Sequence, residues 1–242
     1  MLHAFYYIGK IFHNYKTMKK ILLLSAFFIL SFNSFSQGVR IGLNFSPAFA
    51  FNRIMETTGS NPNSSYSLNT AGKGLGLRFI AGPEIYFFLN KQFAITVGAW
   101  YMVKREGFTF TANSNGFTGT DKQVYNLQYV QLPVTMRMFT NEIMTNTRIY
   151  FQLGGALDIK LATKDTITSE ALRFRPFDAS LIIGTGLELK LGESNYLLVG
   201  IRYTRGLINT VTGIPTDYTK YSNLTALKSN ADLLSIDVGI RF

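Results

Sequence analysis

Residues 234–242 read LSIDVGIRF, and this stretch decides the fold class. Apolar side chains recur there at every second position and alternate with small, polar or charged ones, the apolar set being Leu234, Ile236, Val238, Ile240 and Phe242. Successive side chains of a β-strand point to opposite faces of the sheet, so a period of two indicates a strand with one apolar face. The pattern therefore predicts a strand that reaches the last residue of the sequence.

The same alternation recurs along the chain after Gln37, where no helical periodicity of similar strength occurs. Seven further segments show it, and they begin at Val39, Leu75, Phe93, Val130, Ile149, Phe177 and Leu197. Together with the last segment, they predict an all-β protein of about eight strands.

The connections between these segments alternate between long and short. Long connections rich in Thr, Asn, Ser and Gly are expected at residues 53–73, 105–122, 162–175 and 209–231, and short ones at 89–91, 140–147 and 192–195. Long outer loops and short periplasmic turns are typical of transmembrane β-barrels. Because an open sheet edge is not tolerated in lipid, the sheet must close. We therefore predict an antiparallel up-and-down barrel, residues 37–242, that spans the outer membrane with its apolar face toward lipid.

A soluble, lipocalin-like barrel is the alternative, because period two alone does not say which face points inward. The start of the sequence favours the membrane version. Met18-Lys19-Lys20 is followed by a short apolar run, residues 21–30, and small residues precede Gln37, which is the pattern of a secretory signal. We expect residues 1–36 to be a signal region cleaved near Ser36, with Met18 as the true start. The apolar run is too short for a spanning helix.

Composition and charge narrow the possible partners. Aromatic residues make up 14% of the chain and the formal net charge is +10. Removal of residues 1–36 takes four of the 24 Lys and Arg, leaving 20 against 14 Asp and Glu, so the mature chain is near +6. The basic residues are scattered singly and form no stripe, so no nucleic acid is expected as a partner. We expect contact with outer-membrane lipid. Some aromatic residues could bind sugar, but we expect many of them to form the two aromatic girdles; the set is Trp100, Tyr101, Tyr125, Tyr129, Tyr150, Tyr196 and Tyr203.

The residue types that most enzymes of this architecture would need are missing. The sequence has no Cys, and its two His, His3 and His13, precede the predicted cleavage site. A His-based catalytic triad or metal site therefore cannot form in the mature chain. A hydrolase built on paired carboxylates is conceivable, but we predict no enzyme activity, no cofactor and no metal.

The polar faces of the segments carry charges of both signs. In a barrel of about eight strands the side chains nearly fill the interior, and buried charges must be paired. We therefore predict a structural ion-pair network in the lumen, made by Arg40, Arg78, Glu84, Arg137, Asp158, Asp178, Glu188, Arg202 and Asp237. The apolar residues of 234–242 are expected to form the signal that the barrel-assembly machinery reads on the last strand.

Several segments, in their order along the chain, resemble the PorT-type outer-membrane β-barrel proteins. These segments are VQLPV (130–134), GTGLEL (184–189), RYTRGLIN (202–209) and the terminal strand. The resemblance spans essentially the whole mature chain and implies a small outer-membrane barrel. The founding member is implicated in type IX secretion and gliding, which implies envelope or secretion proteins as partners. A structural or interaction role is the first hypothesis, a small channel or transporter for a polar solute the second, and a lipid-modifying enzyme the third.

Overall fold

The structure is a computed structural model that describes residues 38–58, 67–72, 76–114, 117–165, 172–213 and 226–242. The predicted signal region and cleavage site lie outside these residues. Within them, no helix is long and apolar enough to cross a membrane. The strands are β1 (Val39–Thr58), β2 (Ser67–Gly72), β3 (Gly76–Phe88), β4 (Phe93–Gly98), β5 (Trp100–Ser114), β6 (Phe117–Phe139), β7 (Thr147–Asp165), β8 (Arg173–Phe174), β9 (Phe177–Lys190), β10 (Tyr196–Gly206), β11 (Val211–Gly213) and β12 (Ala226–Arg241).

The main sheet closes into a ring of about eight strand positions. Each position is called a stave below and holds one strand, or two consecutive shorter strands. The strands of the sheet follow the order β1-β12-β10-β9-β7-β6-β4-β3-β5-β2, and β1 also pairs with β3, which closes the ring. The strands β2 and β3 share one stave and β4 and β5 share the next, because β6 pairs with both β4 and β5. The recorded pairings between neighbouring staves are antiparallel. The predicted antiparallel barrel is confirmed.

The last strand is bonded on both sides. Val238 lies opposite Phe45 of β1 and opposite Val199 of β10. The amide of Phe242 donates a hydrogen bond to the carbonyl of Ile41 at 2.8 Å. Because outward residues face outward residues in this register, the apolar positions form a continuous band around the barrel.

The outward face is apolar and exposed, as a lipid-facing surface should be. Large side chains such as Leu77 and Val134 are 64% and 58% exposed. On β6 the outward apolar positions run from Val130 to Met138, roughly 27 Å of strand. That length matches the apolar band of about 25 Å found on outer-membrane barrels.

The two ends of the barrel differ. The turns at 89–92, 140–146 and 191–195 are short and lie at the end that also holds Arg40 and Phe242. At the opposite end the strands run far beyond the apolar band: β5 and β6 pair as far as Ser114 opposite Phe117. The prediction of a loop at 105–122 is therefore wrong over most of its length. Thr and aromatic residues, such as Phe108 and Thr109, favour strands.

A proline interrupts one ladder. Pro133 has no N–H to donate to the neighbouring stave, and that stave breaks between β4 and β5 at Ala99. The Ala99 amide instead donates to the carbonyl of Pro83 at 3.2 Å. A Cβ on Gly98 would lie 2.9 Å from that same carbonyl and 3.3 Å from the Pro133 ring, so the stave also needs glycine here.

Replacement of Val238 by Arg tests the direction of the faces. Val238 is the middle one of the outward residues of β12, so the new charge would lie near the centre of the apolar band. We expect a loss of roughly 2–4 kcal/mol in the free energy of unfolding, measured by denaturant titration in lipid vesicles. Val238→Met, which keeps the site apolar, serves as the control and should change stability little. Equal stabilities for the two variants would refute the outward assignment.

Candidate functional site

The inward-facing charges gather in three clusters stacked along the barrel axis. The first, nearest the short turns, is the basal cluster of Arg148, Glu188 and Arg241. Arg241 Nη1 lies 2.5 Å from Glu188 Oε2, and Arg148 Nε donates to Glu188 Oε1 at 3.0 Å. The Glu188 carboxylate, 1% exposed, therefore faces two guanidinium groups. The Arg241 guanidinium also stacks on the Tyr196 ring at 4.2 Å.

The next is the arginine cluster of Glu84, Arg137, Arg202 and Asp237. Arg137 Nη2 lies 3.0 Å from Glu84 Oε2, and the Tyr86 hydroxyl donates to the same oxygen at 2.6 Å. Arg202 Nη2 lies 3.1 Å from Asp237 Oδ1.

Arg202 also crosses the lumen. Its guanidinium lies 4.1 Å from the centroid of the Trp100 ring, which is on the opposite stave. A cation over an aromatic face is stabilised most where water is excluded, so this contact ties together two staves that share no backbone hydrogen bonds.

The third is the lysine cluster of Lys104, Asp158 and Asp178. Lys104 Nζ, fully buried, lies 2.7 Å from Asp158 Oδ2 and 2.6 Å from Asp178 Oδ2. Gln131 Nε2 donates to Asp158 Oδ1 at 2.8 Å, and the Ser180 hydroxyl donates to Asp158 as well. Asp158 and Asp178 lie opposite each other on the neighbouring strands β7 and β9, and Lys104 reaches both of them from β5, which does not pair with either strand.

Beyond the lysine cluster, the mouth opposite the short turns is closed by a plug of apolar side chains. The plug consists of Leu172, Phe174 and Val211, which the small β8–β11 sheet carries inward and which are 8%, 7% and 4% exposed. Phe174 packs edge to face on Tyr125 with ring centroids 4.9 Å apart. These residues belong to the same packed cluster as Phe108, Leu127 and Leu227 of the wall.

A buried carboxyl fastens the plug to the wall. Thr210 Oγ1 donates to Glu106 Oε1 at 2.8 Å, and Ser229 Oγ donates to Glu106 Oε2 at 2.5 Å. The backbone of Thr210 is held as well, since its amide donates to the Ser229 carbonyl and its carbonyl accepts from the Arg175 amide, both at 2.8 Å. The segment that carries Val211 is thus hydrogen-bonded on two sides of the mouth.

The structure places most of the predicted network residues in these clusters. They include Glu84, Arg137, Asp158, Asp178, Glu188, Arg202 and Asp237. Arg40 and Arg78 lie outside the three clusters, so the prediction is wrong for these two residues. Arg40, at the start of β1 where water reaches it, donates to the Ser194 carbonyl at 3.3 Å. Arg78, half-buried beyond the lumenal clusters, donates to Asn126. Among the described residues neither forms an ion pair.

Other residues of the lumen escaped the sequence analysis. The alternation along its strand places Lys104 on the inward face. Only the pairing of the strands shows that it contacts two aspartates. For Glu106 and Arg148, the sequence indicates only that they alternate with the outward-facing residues of their strands. The aromatic assignment was wrong for Trp100, Tyr129 and Tyr150, which are at most 2% exposed and fill the lumen rather than a girdle. Tyr150 lies over paired Gly186 and Gly200, where any Cβ would collide with its ring or hydroxyl.

The outward apolar residues of 234–242 are all exposed, from 39% at Val238 to 50% at Phe242. These five side chains therefore lie on the outward face of the barrel. Among the described residues, no group of three or more His, Cys, Asp or Glu side chains is placed to hold a metal ion.

Removal of the central cation tests the lysine cluster. In Lys104→Met, two buried aspartates would face each other without a counter-ion, so we expect a loss of about 3–5 kcal/mol in the free energy of unfolding. The triple variant Lys104→Met, Asp158→Asn, Asp178→Asn should recover most of it, because it removes the unpaired charges. Denaturant titration of the refolded barrels measures both. A loss below about 1 kcal/mol for Lys104→Met would contradict a paired, water-free cluster.

In structure comparison, the chain is similar to Neisserial surface protein A from Neisseria, with 12% identity over 84% of this chain and 97% of that one and a TM-score of 0.45. It is similar to the outer membrane protein OprG from Pseudomonas aeruginosa, with 10% identity over 85% and 97% and a TM-score of 0.48. It is also similar to Ail from Yersinia pestis in complex with a heparin analogue, with 10% identity over 85% and 99% and a TM-score of 0.37. A search of curated proteins found no match.

The model of one protein family covers most of the sequence. It matches residues 33–212, which include strands β1 to β10 and most of β11. The match agrees with the closed antiparallel ring, the exposed apolar band and the short turns at one end. The chain belongs to the family of the outer membrane protein beta-barrel domain and is a protein of the outer membrane.

Proposed function

We propose that this protein is a closed, non-enzymatic barrel with a structural or interaction role in the cell envelope. The observation that carries the proposal is the filled lumen. The basal, arginine and lysine clusters occupy successive levels, and the plug covers the mouth above them. A solute crossing the barrel would have to break each layer, and separating buried ion pairs is costly.

The non-enzymatic part of the proposal rests on how the buried acids are engaged. Asp158 and Asp178 bind Lys104, Glu84 binds Arg137, and Glu188 binds two arginines. Glu106 accepts two hydroxyl hydrogen bonds beneath the plug. A general acid or base must reach the substrate, and these groups lie inside the packed lumen. Lipid A of unchanged mass in a deletion strain is the expected result for this part of the proposal.

A channel is the second candidate, because some buried polar atoms have no protein partner. Both amide atoms of Gln152 and Nη1 of Arg202 are of this kind. Buried polar groups of this kind are often satisfied by internal water, and such water in the lumen would favour the channel.

Single-channel recording separates the two candidates. We expect no steady conductance from the refolded residues 37–242 in a planar bilayer, because the charged layers block the path. The double variant Phe174→Ala, Val211→Ala should also stay closed, since it shrinks only the plug. A steady conductance from the unmodified chain would overturn the closed-barrel proposal, and one from the double variant alone would place the barrier in the plug rather than in the ion pairs.

The PorT resemblance supports envelope or secretion proteins as partners. Cross-linked affinity purification from the native envelope tests this, with the tag placed within residues 214–225 so that Phe242 stays available for assembly. We expect a reproducible set of envelope proteins. The control carries the same tag on an unrelated outer-membrane barrel, and recovery of identical proteins from both would remove the support for a specific partner.

A further inference from the structure

The short turns at the periplasmic end line a polar cavity. The proposed closed-barrel role assigns no function to it. Its volume is about 250 Å³. The turns at 89–92 and 140–146 form two walls, and the start of β10 and the end of β9 form the rest, with Lys91, Glu142, Arg148, Glu188, Lys190 and Tyr196 contributing side chains. Arg148 and Glu188 of the basal cluster form the floor.

The walls of this cavity are braced in advance of any ligand. Gln92 Nε2 donates to Asn141 Oδ1 at 3.1 Å, and Arg148 Nη1 donates to the Lys91 carbonyl at 3.1 Å, so the two turns are joined by side chains. The Lys190 amide donates to the carbonyl of Asn146 at 2.8 Å, and Asn146 has a positive φ of 60°. A braced cavity loses little conformational entropy when it binds a partner.

The charge around the cavity is positive. The floor carboxylate of Glu188 is already neutralised by Arg148 and shared with Arg241. Lys91 and Lys190 are exposed at the rim, where Glu142 is the one further carboxylate among the lining residues. Three cations thus face two carboxylates among the lining residues, and the excess positive charge favours an anionic group.

The turn that forms one wall also presents apolar surface to the periplasm. Ile143 and Met144 are 51% and 70% exposed at its tip, beyond Met138, which is the last outward-facing residue of β6. The tip is held by hydrogen bonds from the Ile143 amide to the Thr147 carbonyl at 3.0 Å and from the Thr147 amide to the Met144 carbonyl at 2.9 Å. An apolar tip beside a cationic cavity fits a ligand with an acidic group next to an apolar side chain.

We propose that this cavity binds a periplasmic peptide through a carboxylate, with Lys91 and Lys190 as the charged contacts and Ile143 and Met144 as the apolar ones. This inference rests on the proposed interaction role and names the chemistry of the partner. A peptide is favoured over a free phosphate because only a peptide uses the apolar tip as well as the cations. The ligand carboxylate meets the lysines rather than Arg148, whose Nε and Nη2 already bind Glu188.

Fluorescence anisotropy of the refolded residues 37–242 in detergent micelles tests the inference. The probe is a labelled, N-acetylated and C-amidated tripeptide, Leu-Glu-Leu, and its counterpart is Leu-Gln-Leu. We expect Lys91→Gln and Lys190→Gln to weaken binding of the acidic probe about two- to fivefold each, and high salt to weaken it further. The matched control Lys122→Gln, an exposed lysine on β6 at the other end, should leave binding unchanged.

A second pair of variants tests the apolar contact. Ile143→Ser with Met144→Ser should weaken the tripeptide but leave unchanged the inhibition constant of free acetate, which competes for the lysines alone. Equal binding of the acidic and glutamine peptides would overturn the inference, as would displacement of the probe by inorganic phosphate and acetate at the concentrations at which unlabelled peptide displaces it. Such a failure leaves the closed barrel intact, whereas conductance would refute the barrel role without touching peptide binding.

Discussion

Backbone N–H and C=O groups find no water to bind inside a hydrocarbon layer, and each unpaired group there is costly. The rest of this structure depends on that constraint. The sheet must close, and β1 meets it by pairing with both β12 and β3. Closure in turn fixes which residues look inward, because the pleat alternates and the register of each pair is set by its neighbours.

A second constraint acts on the inward residues. They must fill a narrow space, and each buried charge among them must be paired. The barrel does this with layers: two guanidinium groups on Glu188, an arginine between a carboxylate and aromatic rings, and a lysine between two aspartates. Aromatic and aliphatic side chains, such as Trp100 and Ile182, occupy the space between these layers. The lumen is therefore packed with paired charges and apolar side chains.

The two ends of the barrel differ from the spanning part. At the end with the short turns, side-chain hydrogen bonds such as Gln92 to Asn141 brace the turns. At the opposite end, the strands continue beyond the apolar band. The alternation no longer predicts which side chains are exposed there, as Asp232 shows. It alternates with the lipid-facing residues of β12, yet it is buried, with Arg53 Nε at 2.6 Å and the Tyr203 hydroxyl at 2.8 Å.

The sequence alone determined the fold class and the facing of most spanning residues, because a period of two over a lipid-facing strand is a local property of the chain. It also indicated that lumenal charges of both signs would need partners. The tertiary structure decided which charges meet, since Lys104, Asp158 and Asp178 lie on different strands whose stagger no single strand reveals. It also placed Trp100, Tyr129 and Tyr150 in the lumen rather than in a girdle, because aromatic side chains are suited to both places. The plug and the basal cavity depend on how loops and turns fold back on the barrel, and those contacts are formed between residues far apart in the sequence.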